Sequence, residues 1–291
     1  MNKIVTTARG RAVTQKDLEV IRKLTCTYYQ QGRTYISKEL SRYWQWYQPS
    51  GRLKDVACRE ILLKLARLNL IELPPSKTGY NRQKRSSNCQ LEFEILPQRL
   101  NGNLGQFGKI HLRLVDTKGA KCWNSLVAKY HYQGYSRIVG NSLKYIAYLK
   151  DIPIAALGWG SAAWSLGPRD KYIGWDKELK DKNLHFIANN IRFLILPGVK
   201  IKYLASHLLS VNIKCIAGDW MVKYGHPIYL LETFVERGRF SGTSYKAANW
   251  AYLGKTKGYS KKGSSHSRHK NIKDIYVYPL LSDFRERMGI K

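Results

Sequence analysis

The sequence predicts an α/β protein in two folded parts: a winged-helix-like domain at 1–75, a basic linker at 76–108, and a larger domain at 109–291 with a mixed central sheet. Three observations carry this. The first seventy residues hold three helical apolar periods followed by a short apolar run. Beyond residue 108 the order is strand, helix, hairpin, strand, helix, strand, helix, strand, in which a hairpin interrupts the β-α-β alternation of a doubly wound fold. And 227–235, PIYLLETFV, is an apolar, β-branched and aromatic run of the kind buried on both faces of a sheet, yet it contains one acid, Glu232.

In order along the chain, residues 1–13 are polar and expected to fray. Thr14, with Asp17 in the first turn, opens a helix whose apolar face is Leu18, Ile21, Leu24 and Tyr28, ended by Gly32. A second helix is expected at 35–46, opened by Ser37 and carrying Leu40, Tyr43 and Trp44. A third, 53–68, sets Val56, Ile61, Leu62 and Leu65 against Arg52, Lys54, Arg59, Lys64 and Arg67. Leu70, Ile71 and Leu73, closed by Pro74 and Pro75, suggest a short strand. A basic third helix in that setting is the outline of a winged helix-turn-helix, with a helical cap on the main domain as the alternative. Arg82, Lys84 and Arg85 then lie among Pro, Ser, Gly and Asn, fitting a linker or a wing that tracks phosphates.

In the larger part, 109–115 alternates as a half-buried strand and 122–130 has helical spacing, stopping at His131-Tyr132-Gln133-Gly134. The runs 143–149 and 154–159 form a hairpin pattern. The 160–174 stretch, rich in Gly, Pro and aromatics, predicts no regular element; 175–187 predicts a helix. A central strand at 188–196 carries Asn189, Asn190 and Arg192 in otherwise apolar sequence. A helix follows at 202–216, then the 227–235 strand and the basic loop of Arg237, Gly238, Arg239, Ser241 and Gly242. A helix at 245–252 would set Tyr245, Asn249 and Tyr252 on one face. A basic segment to Lys273 and a strand at 275–281 close the chain.

Fifty Lys and Arg against twenty Asp and Glu leave a net charge of +30, spread along the chain. Such a chain repels itself unless it meets a polyanion, so nucleic acid, as duplex or single-stranded DNA, is the expected partner. Twenty Tyr and eight Trp supply rings for stacking on bases, although most are expected in the core. No apolar run approaches the roughly 18 residues that span a bilayer, and no signal peptide opens the chain, so a cytoplasmic location without membrane contact is expected. Five scattered cysteines, Cys26, Cys58, Cys89, Cys122 and Cys215, make neither a disulfide frame nor a zinc site.

Together, HYQGY at 131–135, GWGSAAW at 158–164, PRDKYIGW at 168–175, NNIRFLILP at 189–197, LASHLL at 204–209 and LLETFVERGRFSGTSYKAANW at 230–250 resemble the DruA family of the Druantia anti-phage systems, which has relatives in mobile elements. The likeness spans about 112–285. The segment YISKELSRYWQWYQPSGRLKDVACREILLKLARLNLIELPP resembles what precedes this domain in DruA-like proteins and some transposases. It implies DNA-directed work in defence or transposition, possible partner subunits of a defence system, and no particular mechanism. The strand order matches the GNAT acyltransferase fold, in which two parallel strands, here 188–196 and 227–235, splay around a cofactor. GTSYKAANWAYLGKT at 242–256 looks like the matching segment of Mom-like DNA-modifying proteins of that fold. That likeness implies Tyr245 as general acid, with Glu232 and Asn249 in the cleft. The 197–203 loop, PGVKIKY, lacks the Gly-x-Gly phosphate cradle of acetyl-CoA users, which leaves the cofactor unknown.

The candidate catalytic residues are thus Glu232, Tyr245, Asn249, Arg192 and His131. His131 suits a base or a contact to a flipped nucleotide, with Tyr132 and Tyr135 for stacking, or a structural histidine. Arg192 in a central strand needs an anion, and Glu232 is its expected partner. Arg169 with Asp170 is a phosphate clamp or a loop-fixing pair. Further phosphate contacts are expected from Arg237, Arg239, Lys246, Lys255, Lys257, Lys261, Lys262, Arg268 and Lys270. Strand cleavage is the alternative enzyme reading, either by Tyr245 as nucleophile with Arg237, Arg239 and Lys246 at the phosphorane, or by a metal at Glu232. A non-catalytic DNA-binding subunit and a structural adaptor also stand open. Asp170, Asp176, Asp219, Glu232 and Asp274 show no two-metal spacing, and His266 and His269 suit phosphate contact better than a metal.

Overall fold

The computed structural model describes residues 4–75, 100–262, 265–268 and 271–290. It divides into two compact units, 1–86 and 87–291.

The first unit opens on a hairpin, β1 (Ile4–Ala8) and β2 (Arg11–Thr14), where fraying was expected. Arg9 and Gly10 both have positive φ at the turn, the geometry that matches the twist of two-residue hairpins. Thr14 and Asp17 form a reciprocal capping box that starts α1 (Gln15–Thr27). Then α2 (Arg33–Tyr43) and α3 (Asp55–Arg67) pack Ile36, Leu40, Ile61, Leu62 and Leu65 against Leu18 and Ile21. Asp17 also accepts from Trp44 Nε1 at 3.0 Å. The strand expected at 70–73 does not form. Leu70, Ile71 and Leu73 pack half-buried on the helices, while the carbonyls of Leu70 and Pro74 accept from the Arg22 and Arg33 side chains. Arg82, Lys84 and Arg85 lie outside the described residues.

The second unit begins with β3 (Leu100–Asn103), followed by β4 (Ile110–Leu114), α4 (Ala120–Tyr130), β5 (Leu143–Leu149) and β6 (Ile152–Ser161). The stretch expected to be irregular contains α5 (Gly167–Ile173), and a short α6 (Lys177–Asn183) is capped by Asp176. Next come β7 (Ile187–Ile195), β8 (Val199–Lys202), α7 (Leu204–Tyr224), β9 (Leu230–Glu236), α8 (Thr243–Ala247) and β10 (Ala251–Lys255). The basic segment holds a two-stranded ribbon, β11 (Tyr259–Lys262) and β12 (Ser265–Arg268), before β13 (Lys273–Pro279) and α9 (Phe284–Arg287). The 197–203 loop is in fact largely β8, paired parallel to β3.

The main sheet has the order β10-β13-β9-β7-β6-β5-β4. All neighbours are antiparallel except β7 and β9. Strand alternation assigns the two faces. Tyr145 donates to Asp219 of α7, whereas its neighbour Lys144 donates to Asn124 of α4, so these helices cover opposite faces. On β9, Leu231 and Val235 join the core with Leu209, Ile216 and Trp220 of α7; Leu230 joins Ile173, Trp175 and Phe284 on the other side. No helix among the described residues is long and apolar enough to cross a membrane. Among the described residues, Cys26, Cys58, Cys122 and Cys215 are in no disulfide. Cys89 lies outside the described residues.

Candidate nucleotide cleft

The parallel pairing of β7 and β9 runs only from Ile187↔Leu230 to Asn190↔Thr233. Beyond it β7 continues along β6 and β9 along β13, so the two strands part. A bulge at Ile191, where Gly158 pairs Arg192 and Trp159 pairs Asn190, accompanies the divergence and bends β7. The gap is a cleft of about 650 Å³, walled by 189–195, 233–236, the end of α4 and the 239–245 loop. That volume is in the range of small-molecule sites, roughly 300–1,000 Å³.

Its floor is a polar knot. Tyr245, 8% exposed, donates its hydroxyl to Asn190 Oδ1 at 2.7 Å. Asn190 Nδ2 donates to the carbonyls of Gly158 and Arg192, and Thr233 Oγ1 donates to the Asn190 carbonyl at 3.1 Å. Burial drives the Tyr245 pKa well above the ordinary phenol value, with the Thr233 hydroxyl opposing. A phenol so held keeps its proton, which makes it a poor nucleophile. Tyr276 stacks on Tyr245 with centroids 5.9 Å apart. Gly242 has φ +71°, and a Cβ there would lie 2.4 Å from the Tyr276 hydroxyl, so the turn entering α8 requires glycine.

The rim is aromatic and basic. Tyr132 is held by the edge of Phe240 at 5.4 Å, by the His131 ring at 4.7 Å and by the Arg239 guanidinium at 4.8 Å. Burial, then the charge of Arg192, lowers the His131 pKa to about 4, so its imidazole is neutral near pH 7. Burial and the Glu236 carboxylate raise the Tyr132 pKa. Arg192 donates to the Gly134 carbonyl at 3.2 Å, the Ile191 carbonyl at 2.8 Å and Ser136 Oγ at 3.3 Å. No carboxylate among the described residues forms an ion pair with it, and burial lowers its pKa.

Three expectations are corrected. Glu232 does not pair with Arg192 and does not line the cleft. It is fully buried on the α5 face, accepting from Arg169 Nη1 at 2.8 Å and from the Ala163 N–H at 2.6 Å. Burial raises its pKa, against the opposing pull of Arg169 and the Ala163 amide. The reason is the period of two: Thr233, its neighbour, faces Tyr245, so Glu232 cannot. Arg169, also 0% exposed, is no phosphate clamp; it binds Glu232, the Ala163 carbonyl and Asp170, and Lys180 completes the network on Asp170. Asn249 does not share a helix face with Tyr245. The α8 helix ends at Ala247, and Asn249, at φ +62°, makes the turn into β10, a conformation Asn tolerates.

Of the remaining basic candidates, Arg237 pairs with Asp274 at 3.3 Å, and Lys246, Lys255 and Lys257 are exposed outside the cleft. Lys261, Lys262 and Arg268 are on the β11–β12 ribbon, with Lys261 opposite His266; Lys270 and His269 lie outside the described residues. In the first unit Arg52 is exposed and Lys54 lies 5.5 Å over the Trp46 ring. Arg59 is tied to Asp55 and Lys64 to the Thr7 carbonyl. No group of three or more His, Cys, Asp or Glu among the described residues is arranged to hold a metal. Thr233, Glu236 and Phe240 line the cleft unforeseen; the strand alternation that turns Glu232 away would have found Thr233 once Tyr245 was placed.

A family model described as Druantia protein DruA matches residues 64–267. No curated protein matches the chain. Among solved structures, an N-acetyltransferase from Staphylococcus aureus is 11% identical with TM-score 0.36, covering 59% of this chain and 98% of that one. A probable acetyltransferase from Staphylococcus epidermidis gives 13% and 0.38, over 60% and 100%. A Bacillus subtilis acetyltransferase in complex with CoA gives 7% and 0.38, over 60% and 100%.

Proposed function

This chain belongs to the DruA family, and from that premise we propose that it is a DNA-directed component of a Druantia-type phage defence that receives an unpaired nucleotide in the β7/β9 cleft. The observation that carries the reading is Arg192: a half-buried guanidinium bound only to neutral acceptors, beside the Tyr132, Phe240 and Arg239 rim, in a chain of net charge +30. A half-buried cation held only by neutral acceptors has donors suited to an incoming phosphate, and Tyr132 offers its ring to a base. The Glu236 carboxylate is an acceptor for the N–H groups of that base, and the neutral His131, whose Nδ1 already accepts from the Gln133 N–H at 3.2 Å, has its Nε2–H left to donate to a base carbonyl or a phosphate oxygen. Tyr245 acts by holding Asn190 and through it the bulge that presents Arg192, rather than by attacking a phosphodiester. Arg239, Lys255, Lys257 and the β11–β12 ribbon serve the flanking backbone, and Arg52 and Lys54 of the first unit serve duplex.

Fluorescence-anisotropy titration of labelled single-stranded and blunt duplex oligonucleotides tests this. Tyr132→Ala should weaken single-strand binding about 5- to 100-fold, one stacked base, while duplex affinity stays unchanged. Equal loss on both substrates, or none on either, sinks the reading.

The splay itself favours a second occupant. Past Asn190 and Thr233 the facing backbone edges of β7 and β9 are not paired with each other, a slot suited to an extended amide chain such as that of an acyl carrier cofactor. Thermal stabilisation by coenzyme A, lost in a variant that fills the slot, supports that reading; no stabilisation at millimolar ligand rejects it.

A further inference from the structure

The cleft has a smaller neighbour. A cavity of about 240 Å³ is bounded by Trp123, Tyr135, Ser136, Val139 and Ser161, and it shares Ile191 and Arg192 with the main cleft. Arg192 is therefore the wall between two spaces. It is also bonded to the irregular segment that borders both, through the Gly134 carbonyl and Ser136 Oγ.

That segment carries two tyrosines of matched character. Tyr132 is 38% exposed and fixed by Phe240, His131 and Arg239 at the main cleft. Tyr135 is 39% exposed and fixed at the second cavity, by the edge of Trp123 at 6.4 Å and the Lys144 ammonium at 5.5 Å. Trp123 is itself anchored, donating Nε1 to the Leu157 carbonyl at 2.9 Å, and Lys144 is held by Asn124. Between the tyrosines Gly134 takes φ +60°, which turns the chain so that the two rings serve separate spaces. A partly exposed ring whose orientation is already fixed by its neighbours loses little entropy when a base packs on it.

We infer that the 131–136 segment and Arg192 form a two-nucleotide track for single-stranded nucleic acid, with one base on Tyr132 in the main cleft, the adjacent base on Tyr135 at the second cavity, and the phosphate linking them on Arg192. The inference rests on the nucleotide reading of the main cleft and adds to it the second subsite and the polarity of the dividing wall. Stacking on a π-face reads no sequence, so the track takes any base, whereas the phosphate between two nucleosides is its one charged requirement. Burial that lowers the Arg192 pKa, with no carboxylate paired to it, fits a site whose anion arrives with the ligand.

The test is calorimetric titration of the full chain with thymidine monophosphate, the 5′-phosphorylated dithymidylate and the trithymidylate. The dinucleotide is expected to bind at least tenfold more tightly than the mononucleotide, and the trinucleotide to add less than the second residue did. Tyr135→Ala should abolish the step from one to two nucleotides while leaving mononucleotide affinity within twofold. Tyr135→Phe should keep the step, because the ring and not the hydroxyl is the platform. Arg192→Gln should lower dinucleotide affinity about tenfold or more. Melting curves on each variant identify any loss due to unfolding, and Tyr135→Phe, which keeps the ring's packing on Trp123, holds the test open if Tyr135→Ala is unstable. Mononucleotide binding with no gain from the second residue overturns the track and leaves the cleft reading standing. No binding of any of the three overturns both.

Discussion

Removing the Tyr245 hydroxyl should cost stability before it costs chemistry. In Tyr245→Phe the ring keeps its contacts with Tyr276 and Trp250, but Asn190 Oδ1 loses the donor that reaches it at 2.7 Å inside the sheet. A buried acceptor stranded this way costs about 1–3 kcal/mol. For a unit of this size each kcal/mol lowers Tm by about 2–4 °C, so a fall of roughly 2–12 °C is expected. The other bonds of Asn190, to the carbonyls of Gly158 and Arg192, make the double variant with Asn190→Ala informative. The two losses should be less than additive, with a coupling of about 0.5–3 kcal/mol. The pH dependence has a definite sign. Folding raises the Tyr245 pKa, so the folded state holds a proton that an unfolded tyrosine releases near pH 10. The contribution is complete below about pH 10 and is lost as pH climbs toward the folded value, so Tyr245→Phe should melt with a flatter alkaline limb. Circular-dichroism melts from pH 7 to 11 measure all of this. An unchanged Tm together with lost function would refute the argument and return Tyr245 to direct chemistry.

Glu232→Gln should lower stability by about 3–5 kcal/mol, because it leaves the fully buried Arg169 without its full counter-charge, yet the folded fraction should bind oligonucleotide as before. Reduced affinity at unchanged Tm would place Glu232 at the ligand after all. Acid should destabilise the second unit through His131 and His185, both lowered to about 4 by burial. Their contribution is present above the unfolded value near 6.5 and is lost as pH falls toward 4, so Tm against pH in His131→Gln and His185→Gln should drop less steeply over that window. Affinity for any DNA should fall steeply with salt, linearly in log–log form, and a flat response would contradict a phosphate-dominated interface.

The strand order was legible because apolar runs and hairpin signals mark it locally, whereas the parting of the two parallel strands was expected only from the likeness of that order to the GNAT fold. Side-chain partners were less so. Arg192 and Glu232 are close in the chain's logic, two charges on adjacent central strands, but the sheet turns Glu232 toward Arg169, a residue sixty-three positions earlier whose stretch carried no helical pattern. The break after Ala247 was hidden by the apparent continuity of Tyr245, Asn249 and Tyr252; only the αL geometry of Asn249 distinguishes a turn from a helix there. That His131, Tyr132 and Arg192 would stand out from their surroundings could be seen in advance, because aromatic and charged residues at a helix end and in a central strand need a reason to be there, and all three line the cleft.

Photocrosslinking tests the central claim most directly. A single-stranded oligonucleotide with one photoreactive thymine analogue is bound, irradiated, digested and mapped by mass spectrometry. The account predicts crosslinks at Tyr132, Phe240 or His131 around the cleft, reduced in Arg192→Gln. Crosslinks confined to the 255–273 segment and the first unit, with none in the cleft, would contradict it.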